Sequence, residues 1–202
     1  MFKTFIKSKI TDRNLLTLRK QISKYITKDS KIIEIGCGTG SLLFLLSSKI
    51  KEGLGIDISS SMIKFCIKKA RKENIKNISF VNADANYLNQ FIKKHYDIAI
   101  IILIMHEINR ISQINILKKT ANIADKIVIA DYTLKNSIFK RFFINIDEIL
   151  AGHYSNYLSY IKNSGMLPII KNSDLSVEKH LKTQISCIDI WICKKTVNRY
   201  RI

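Results

Sequence analysis

A single proline and seven glycines among 202 residues leave little material for flexible linkers or low-complexity tracts. No apolar run approaches the ~18 residues that a membrane-spanning helix needs. The longest, "IAIIILIM" at 98–105, has the length of a buried strand. The opening stretch, "MFKTFIKSKITDRNLL", scatters lysines where a secretory signal would be continuously apolar, so no signal peptide is expected. Cys37, Cys66, Cys187 and Cys193 form no C-x-x-C pair. Neither a metal site nor a disulfide framework is expected from them, and a reducing, cytoplasmic setting fits. Acidic residues are also scarce: 16 Asp and Glu against 34 Lys and Arg give a net charge of +18. A field of that sign attracts polyanions, so nucleic acid is one reading. The lysines are scattered, without a dense block or interleaved aromatics, in a chain crowded throughout with Lys, Ile and Asn. That pattern favours composition over a nucleic-acid surface.

What is present is an alternation of short apolar runs with amphipathic segments. "KIIEIG" (31–36), "GLGID" (53–57), "NISFVNAD" (77–84), "YDIAIIILIM" (96–105) and "KIVIAD" (126–131) read as strands. "SLLFLLSSKI" (41–50), 59–73 and 108–121 read as helices; in the second, Met62, Ile63, Cys66, Ile67 and Ala70 share one face with lysines opposite. Strands separated by helices at this spacing imply βαβ units and a parallel sheet covered on both faces, which the near-continuous apolar strands require. After Asp131 two helices broken near Gly152 are expected, then "MLPIIK" (166–171) and "QISCIDIWICKK" (184–195) as strands that close the sheet as an antiparallel pair.

Open α/β sheets bind ligands beyond the carboxyl ends of their strands. "EIGCGTG", Glu34 to Gly40, stands at such an end. Glycine allows the tight turn and a close approach of ligand to backbone. A dinucleotide fingerprint would place its third glycine one residue later, and a phosphate-binding P-loop would end in Gly-Lys-Ser/Thr; neither pattern is met. The E-x-G-x-G-x-G spacing resembles the first motif of the class I S-adenosylmethionine-dependent methyltransferases. "GLGIDIS", "NADA" and "YDIAIIILIMHEI" resemble the second, third and fourth, in order, over about residues 30–131. Singly, Asp57 and Asp84 are also ordinary helix-capping residues.

The resemblance implies a Rossmann-like, doubly wound α/β fold. Its sheet would be mostly parallel and seven-stranded, with helices on both faces and an antiparallel last strand. It implies S-adenosyl-L-methionine as cofactor and S-adenosyl-L-homocysteine as product. Cofactor contacts would come from Glu34, Gly36, Cys37, Gly38, Gly40, Asp57, Ile58, Met62, Asp84, Ala85 and Ile102, with Asp57 on the ribose hydroxyls and Asp84 near the adenine amino group. One domain is expected over 1–202, with an N-terminal helical segment at about 1–29 and a helical, substrate-covering insert at about 132–165.

"LIMHEI" resembles the small-molecule group that includes the ubiquinone and menaquinone C-methyltransferases; the Pro-Gly-Gly turn usual before strand five is replaced by "TANIADK". A small-molecule acceptor methylated on C, O or N is therefore expected. An RNA methyltransferase, or a non-catalytic cofactor-binding protein of the same fold, is the alternative. His106 reads either as a general base, its ordinary pKa lying near neutrality, or as a hydrogen-bond partner of the loop over the cofactor. His153 and Tyr154 in "AGHYSNY" are candidates to face the methyl group from the insert, whose aromatics read equally well as helix core. Oligomeric state is not legible.

Overall fold

The computed structural model describes residues 15–134, 152 and 154–196. After helix α1 (Leu16–Ser23) come β1 (Lys31–Ile35), α2 (Ser41–Leu46), β2 (Glu52–Asp57), α3 (Ser60–Lys72) and β3 (Ile78–Asn82). A 3₁₀ turn (Ala85–Tyr87) and the one-turn α4 (Leu88–Phe91) lead to β4 (Tyr96–Ile102), α5 (Arg110–Ile123) and β5 (Ala124–Tyr132). Then follow α6 (Tyr154–Lys162), α7 (Met166–Asn172), β6 (Leu175–Lys182) and β7 (Ile188–Lys195).

The strands form one seven-stranded sheet in the order β3-β2-β1-β4-β5-β7-β6. β1 to β5 are parallel, and β7 runs antiparallel to both of its neighbours. The strand order reverses direction between β1 and β4, and in such sheets the crevice at that point is where ligands lie. The expected Rossmann-like sheet is present.

Period-two alternation divides the isoleucines between two cores. Ile33, Ile35, Ala99, Ile101, Ile127 and Ile129 pack on one face beneath α5 and α7. Ile32, Ile98, Ile100, Val128 and Ala130 pack on the other, beneath α1, α2 and α3. Both faces are covered, which is why the inner stretches Ile98–Ile102 and Ile127–Ala130 are continuously apolar.

Two expectations about the C-terminal part are corrected. "MLPIIK" is not a strand: Met166–Asn172 is the helix α7, whose buried residues Met166, Ile169 and Ile170 stand at helical spacing. Pro168 lies in its first turn, where a missing N–H costs nothing. The strand preceding β7 is "LSVEKHLK", Leu175–Lys182. It is an edge strand, mostly exposed, with a register irregularity between Val177 and Lys179. Charge and a bulge suit an edge that must not pair with other chains, and they erase the apolar signature of a strand. The first of the two helices expected in the insert lies outside the described residues; the second is α6.

Candidate active site

The glycine loop leaves β1 at Ile35 and crosses over the end of β2. The N–H groups of Gly36 and Cys37 both donate to the Ile56 carbonyl, at 2.7 and 2.9 Å. Gly36, Gly38 and Gly40 all have positive φ, between 51° and 68°, the left-handed region that penalises a side chain. Their surroundings differ. A Cβ on Gly36 would come within 1.9 Å of Ile104 Cδ1, and one on Gly40 within 2.8 Å of the Phe80 ring, whereas one on Gly38 would meet nothing within 4 Å. The outer two glycines are therefore needed for packing, and the middle one borders open space.

This difference gives a prediction. Gly40→Ala should cost roughly 2–4 kcal/mol of stability, from the left-handed backbone plus overpacking against an aromatic ring. Gly38→Ala should cost only about 1 kcal/mol. Affinity for S-adenosylhomocysteine should fall more in Gly38→Ala than its stability does, as thermal unfolding and calorimetry on the same samples would read.

Asp57, the last residue of β2, fixes the loop. One carboxylate oxygen accepts from Gly38 N–H at 2.8 Å, and the other from Ser59 N–H at 2.8 Å. Ser59 in turn caps α3, accepting from Met62 N–H. Asn82 at the end of β3 donates to the Asp57 and Ile58 carbonyls, both at 2.9 Å. Ile58 is left 75% exposed, an apolar residue standing at the crevice. Asp84 accepts from the Asn86 N–H and side-chain amide, capping the 3₁₀ turn that contains Ala85. So Asp84 serves as a cap, whereas α3 is capped by Ser59 and Asp57 only holds that cap in place; each carboxylate keeps lone pairs for a ligand. Glu34 and Cys37 are buried, and Met62 and Ile102 are half-buried. A hydrogen bond with Cys66, then burial, raises the Cys37 thiol far above its usual pKa, so it is an inert packing group rather than a nucleophile.

A second cluster lies where β4 and β5 end. Leu103, with φ +55°, turns the chain out of β4 and donates its N–H to the Ala130 carbonyl. Beyond it His106, 2% exposed, sits with Nδ1 2.6 Å from Asp131 Oδ1. Asp131, fully buried, also accepts from Met105 N–H at 2.9 Å and Tyr132 N–H at 2.7 Å. A buried carboxylate is tolerated only with such partners. The His106 ring packs against Tyr132 at 4.4 Å between centroids, Tyr157 at 6.4 Å and Tyr160 at 6.5 Å. Asn156 donates to the Glu107 carbonyl at 2.7 Å and Tyr160 to the Tyr132 carbonyl at 2.8 Å, fastening α6 over the loop. Burial first, then the nearby Asp131 carboxylate, pushes the Tyr160 phenol well above its ordinary pKa. It is therefore a donor, not a base.

Among the described residues, then, the rings around His106 come from Tyr132, Tyr157 and Tyr160. Tyr154 opens α6 half-buried, and His153 lies outside the described residues. Sequence reasoning passed over Asp131 as a site residue. The available signal was a carboxylate closing an otherwise apolar strand. No group of three or more metal-ligating side chains occurs among the described residues, and no described helix is long and apolar enough to cross a membrane.

A sheet that reverses its strand order beside a glycine loop, with an acid at the end of the neighbouring strand, is common to Rossmann-like nucleotide-binding folds; the order β3-β2-β1-β4-β5-β7-β6 with β7 antiparallel is that of the class I S-adenosylmethionine-dependent methyltransferases. Residues 26–157 match the family "Methyltransferase domain", and the chain belongs to it. S-adenosylmethionine is accordingly its cofactor; the open space over Gly38 and the carboxylates of Asp57 and Asp84 fit it. The chain is similar to methyltransferase 235L of Invertebrate iridescent virus 6, 39% identical over 77 residues that make up 37% of this chain and 26% of that one. It is also similar to the S-adenosylmethionine-dependent methyltransferase CRG1 of Saccharomyces cerevisiae, 33% identical over 87 residues, 42% of this chain and 30% of that one. The matched stretch thus spans less than a third of either curated relative. Among solved structures, magnesium protoporphyrin IX methyltransferase from Synechocystis with bound S-adenosylhomocysteine superposes with a TM-score of 0.65. That likeness covers 92% of this chain and 84% of the other at 15% identity, and establishes the fold.

Proposed function

We propose that the protein transfers a methyl group from S-adenosylmethionine to a small molecule. The observation that carries the reading is the Asp57 carboxylate, which ties the Gly38 loop to the start of α3 at the switch point of the sheet. Gly36, Gly38 and Gly40 shape the seat of the cofactor, Asp57 receives its ribose hydroxyls, and Asp84, Ala85 and Ile58 border its adenine. When bound, the cofactor supplies an activated methyl group on a sulfonium. The chain's task is then to orient the acceptor and exclude water. Tyr157 and Tyr160 are each 1% exposed and pack as core around His106, so they hold its ring rather than line an open acceptor site. The His106–Asp131 pair fixes the ring at the end of β4, with Nε2 4.0 Å from Glu107 Oε1, and in this reading the ring orients the acceptor or takes its proton. Residues 1–202 act as a single unit in this reading, with the segment from Tyr132 to Gly165 covering the acceptor.

Incubation with cofactor labelled in its methyl group and a cell extract, followed by separation of small-molecule and RNA fractions, tests the proposal. Label in the small-molecule fraction is the expected result. Calorimetric heat with NAD and none with S-adenosylhomocysteine would refute the reading.

One observation favours the RNA alternative. A cavity of about 600 Å³ between α1 and the β6–β7 turn is lined by Lys20, Lys24 and Lys182, with Tyr25 beside them and no carboxylate among its described lining residues. Three phosphate contacts would give a salt slope of about −2 for single-stranded RNA. The expected result is weak RNA binding that vanishes by physiological salt. Tight binding that persists there, and whose salt slope drops when the three lysines become alanine, would favour the alternative.

A further inference from the structure

The two edges of the sheet are finished differently. β6 carries Glu178, Lys179, His180 and Lys182 and a register irregularity, devices that keep an edge from pairing. β3, at the other edge, runs Ile-Ser-Phe-Val-Asn and has no charge, proline or bulge. Val81 in it is 40% exposed. Gly53 N–H donates to the Asn77 carbonyl at 2.8 Å, and Ala83 N–H to the Asp57 carbonyl at 3.1 Å. The odd-numbered residues therefore face β2, and Ile78, Phe80 and Asn82 turn their N–H and carbonyl groups away from the sheet. No described strand pairs with that side.

A groove runs along this edge. A cavity of about 450 Å³ between the second half of α3 and β3 has an apolar floor of Ile67, Ile75, Ile78 and Phe80. A second, of about 390 Å³, continues it along α3 and shares Ile67 and Arg71 with the first. The walls are cationic: Lys64, Lys68 and Arg71 stand at helical spacing on α3, and Lys76 precedes β3. All four are exposed, and no described acid forms an ion pair with any of them. No carboxylate is among the described residues lining either cavity; Glu73, at the end of α3, lines neither.

We propose that this edge binds an extended, acidic segment of a partner protein, added to β3 as a further strand. Backbone pairing with Ile78, Phe80 and Asn82 gives the segment its register. Side chains on one face of the added strand enter the groove, apolar ones onto the floor and acidic ones against the lysines and Arg71. A second copy of this chain fits less well, since it would set the same four cations against each other in a protein of net charge +18. Nucleic-acid phosphates would match the cations but leave the strand edge and the apolar floor unused.

The probe is a fluorescein-labelled peptide of about seven residues, long enough to span β3. Valine and glutamate alternate on one face of it, and threonine fills the other. Its anisotropy should report binding roughly tenfold or more tighter than that of the same peptide with lysine for glutamate. A fully N-methylated copy keeps the charges but has no backbone donor, and should not bind. Hydrogen exchange should slow at the Ile78, Phe80 and Asn82 amides when the acidic peptide is present. Lys68→Glu combined with Arg71→Glu should reverse the preference while leaving thermal unfolding unmoved, since both residues are exposed. Equal binding of the lysine peptide, no binding of the acidic one at millimolar concentration, unslowed exchange at those amides, or an unchanged preference in the double variant would overturn the proposal. So would a dimer of this chain, or an oligouridylate, that protects the same amides in place of the peptide.

Discussion

Replacing Asp57 by alanine is expected to weaken S-adenosylhomocysteine binding by about 3 kcal/mol, roughly a hundredfold, because the ribose hydroxyls lose a charged acceptor in a half-enclosed site. The geometry adds a second cause. The same carboxylate holds Gly38 N–H and Ser59 N–H, so its loss also releases the loop that shapes the crevice. Stability should fall by only about 1–2 kcal/mol, since both donors lie near water and can be rehydrated. Asp57→Asn is the sharper probe. Its single amide oxygen can serve Ser59 or Gly38 but not both, and its NH₂ then faces an N–H donor. Affinity should therefore drop nearly as far as in the alanine variant. Calorimetry and thermal unfolding of both variants decide the matter: unchanged affinity with collapsed stability would make Asp57 a purely structural residue.

The second large effect is expected at Asp131. Alanine there would strand His106 Nδ1 and Met105 N–H, both buried, and the part-buried Tyr132 N–H, at a cost of about 3–5 kcal/mol. Asp131→Asn keeps the shape and one acceptor, and should cost less while still releasing the His106 ring. His106→Ala and Asp131→Asn should both lower methyl transfer more than they lower S-adenosylhomocysteine affinity. If His106 takes the proton, each should lose on the order of 10²–10⁴ in rate and change the pH profile. Positioning is the expected outcome: a smaller loss, independent of pH, because the ring is wedged among tyrosines with one nitrogen already committed. The double variant should lose little more than either single one, since the two residues act as a unit. Additive losses would separate them, and full activity in both would place the chemistry elsewhere.

The first five strands were legible in the sequence because they are short, largely apolar runs between helical segments, although only the inner ones are covered on both faces; β3, at the edge, has Ser79, Val81 and Asn82 exposed. The glycine spacing announced the turn after β1. The C-terminal part was harder to read for physical reasons. β6 carries Glu178, Lys179, His180 and Lys182 at an exposed edge, so nothing in its pattern distinguishes it from a surface loop. α7 was misread because "MLPIIK" is too short for periodicity to overrule its apolar look, although exposed Leu167 between buried Met166 and Ile169 favoured a helix. At the candidate site, residues at strand ends were found from motifs. Asp131 was not, because its significance depends on its partners, and that depends on how distant segments meet.

The strand order also has a consequence for synthesis. β7 is the last of the described strands but lies inside the sheet, between β5 and β6. Until Ile188–Lys195 has emerged from the ribosome, β5 has an open flank and β6 has no neighbour to pair with. The growing chain must therefore shield a ready-made aggregation edge for more than fifty residues of translation, from Tyr132 to Ile188. The sheet closes by insertion of β7 rather than by addition at its rim, so nascent-chain chaperones would be needed most over that interval.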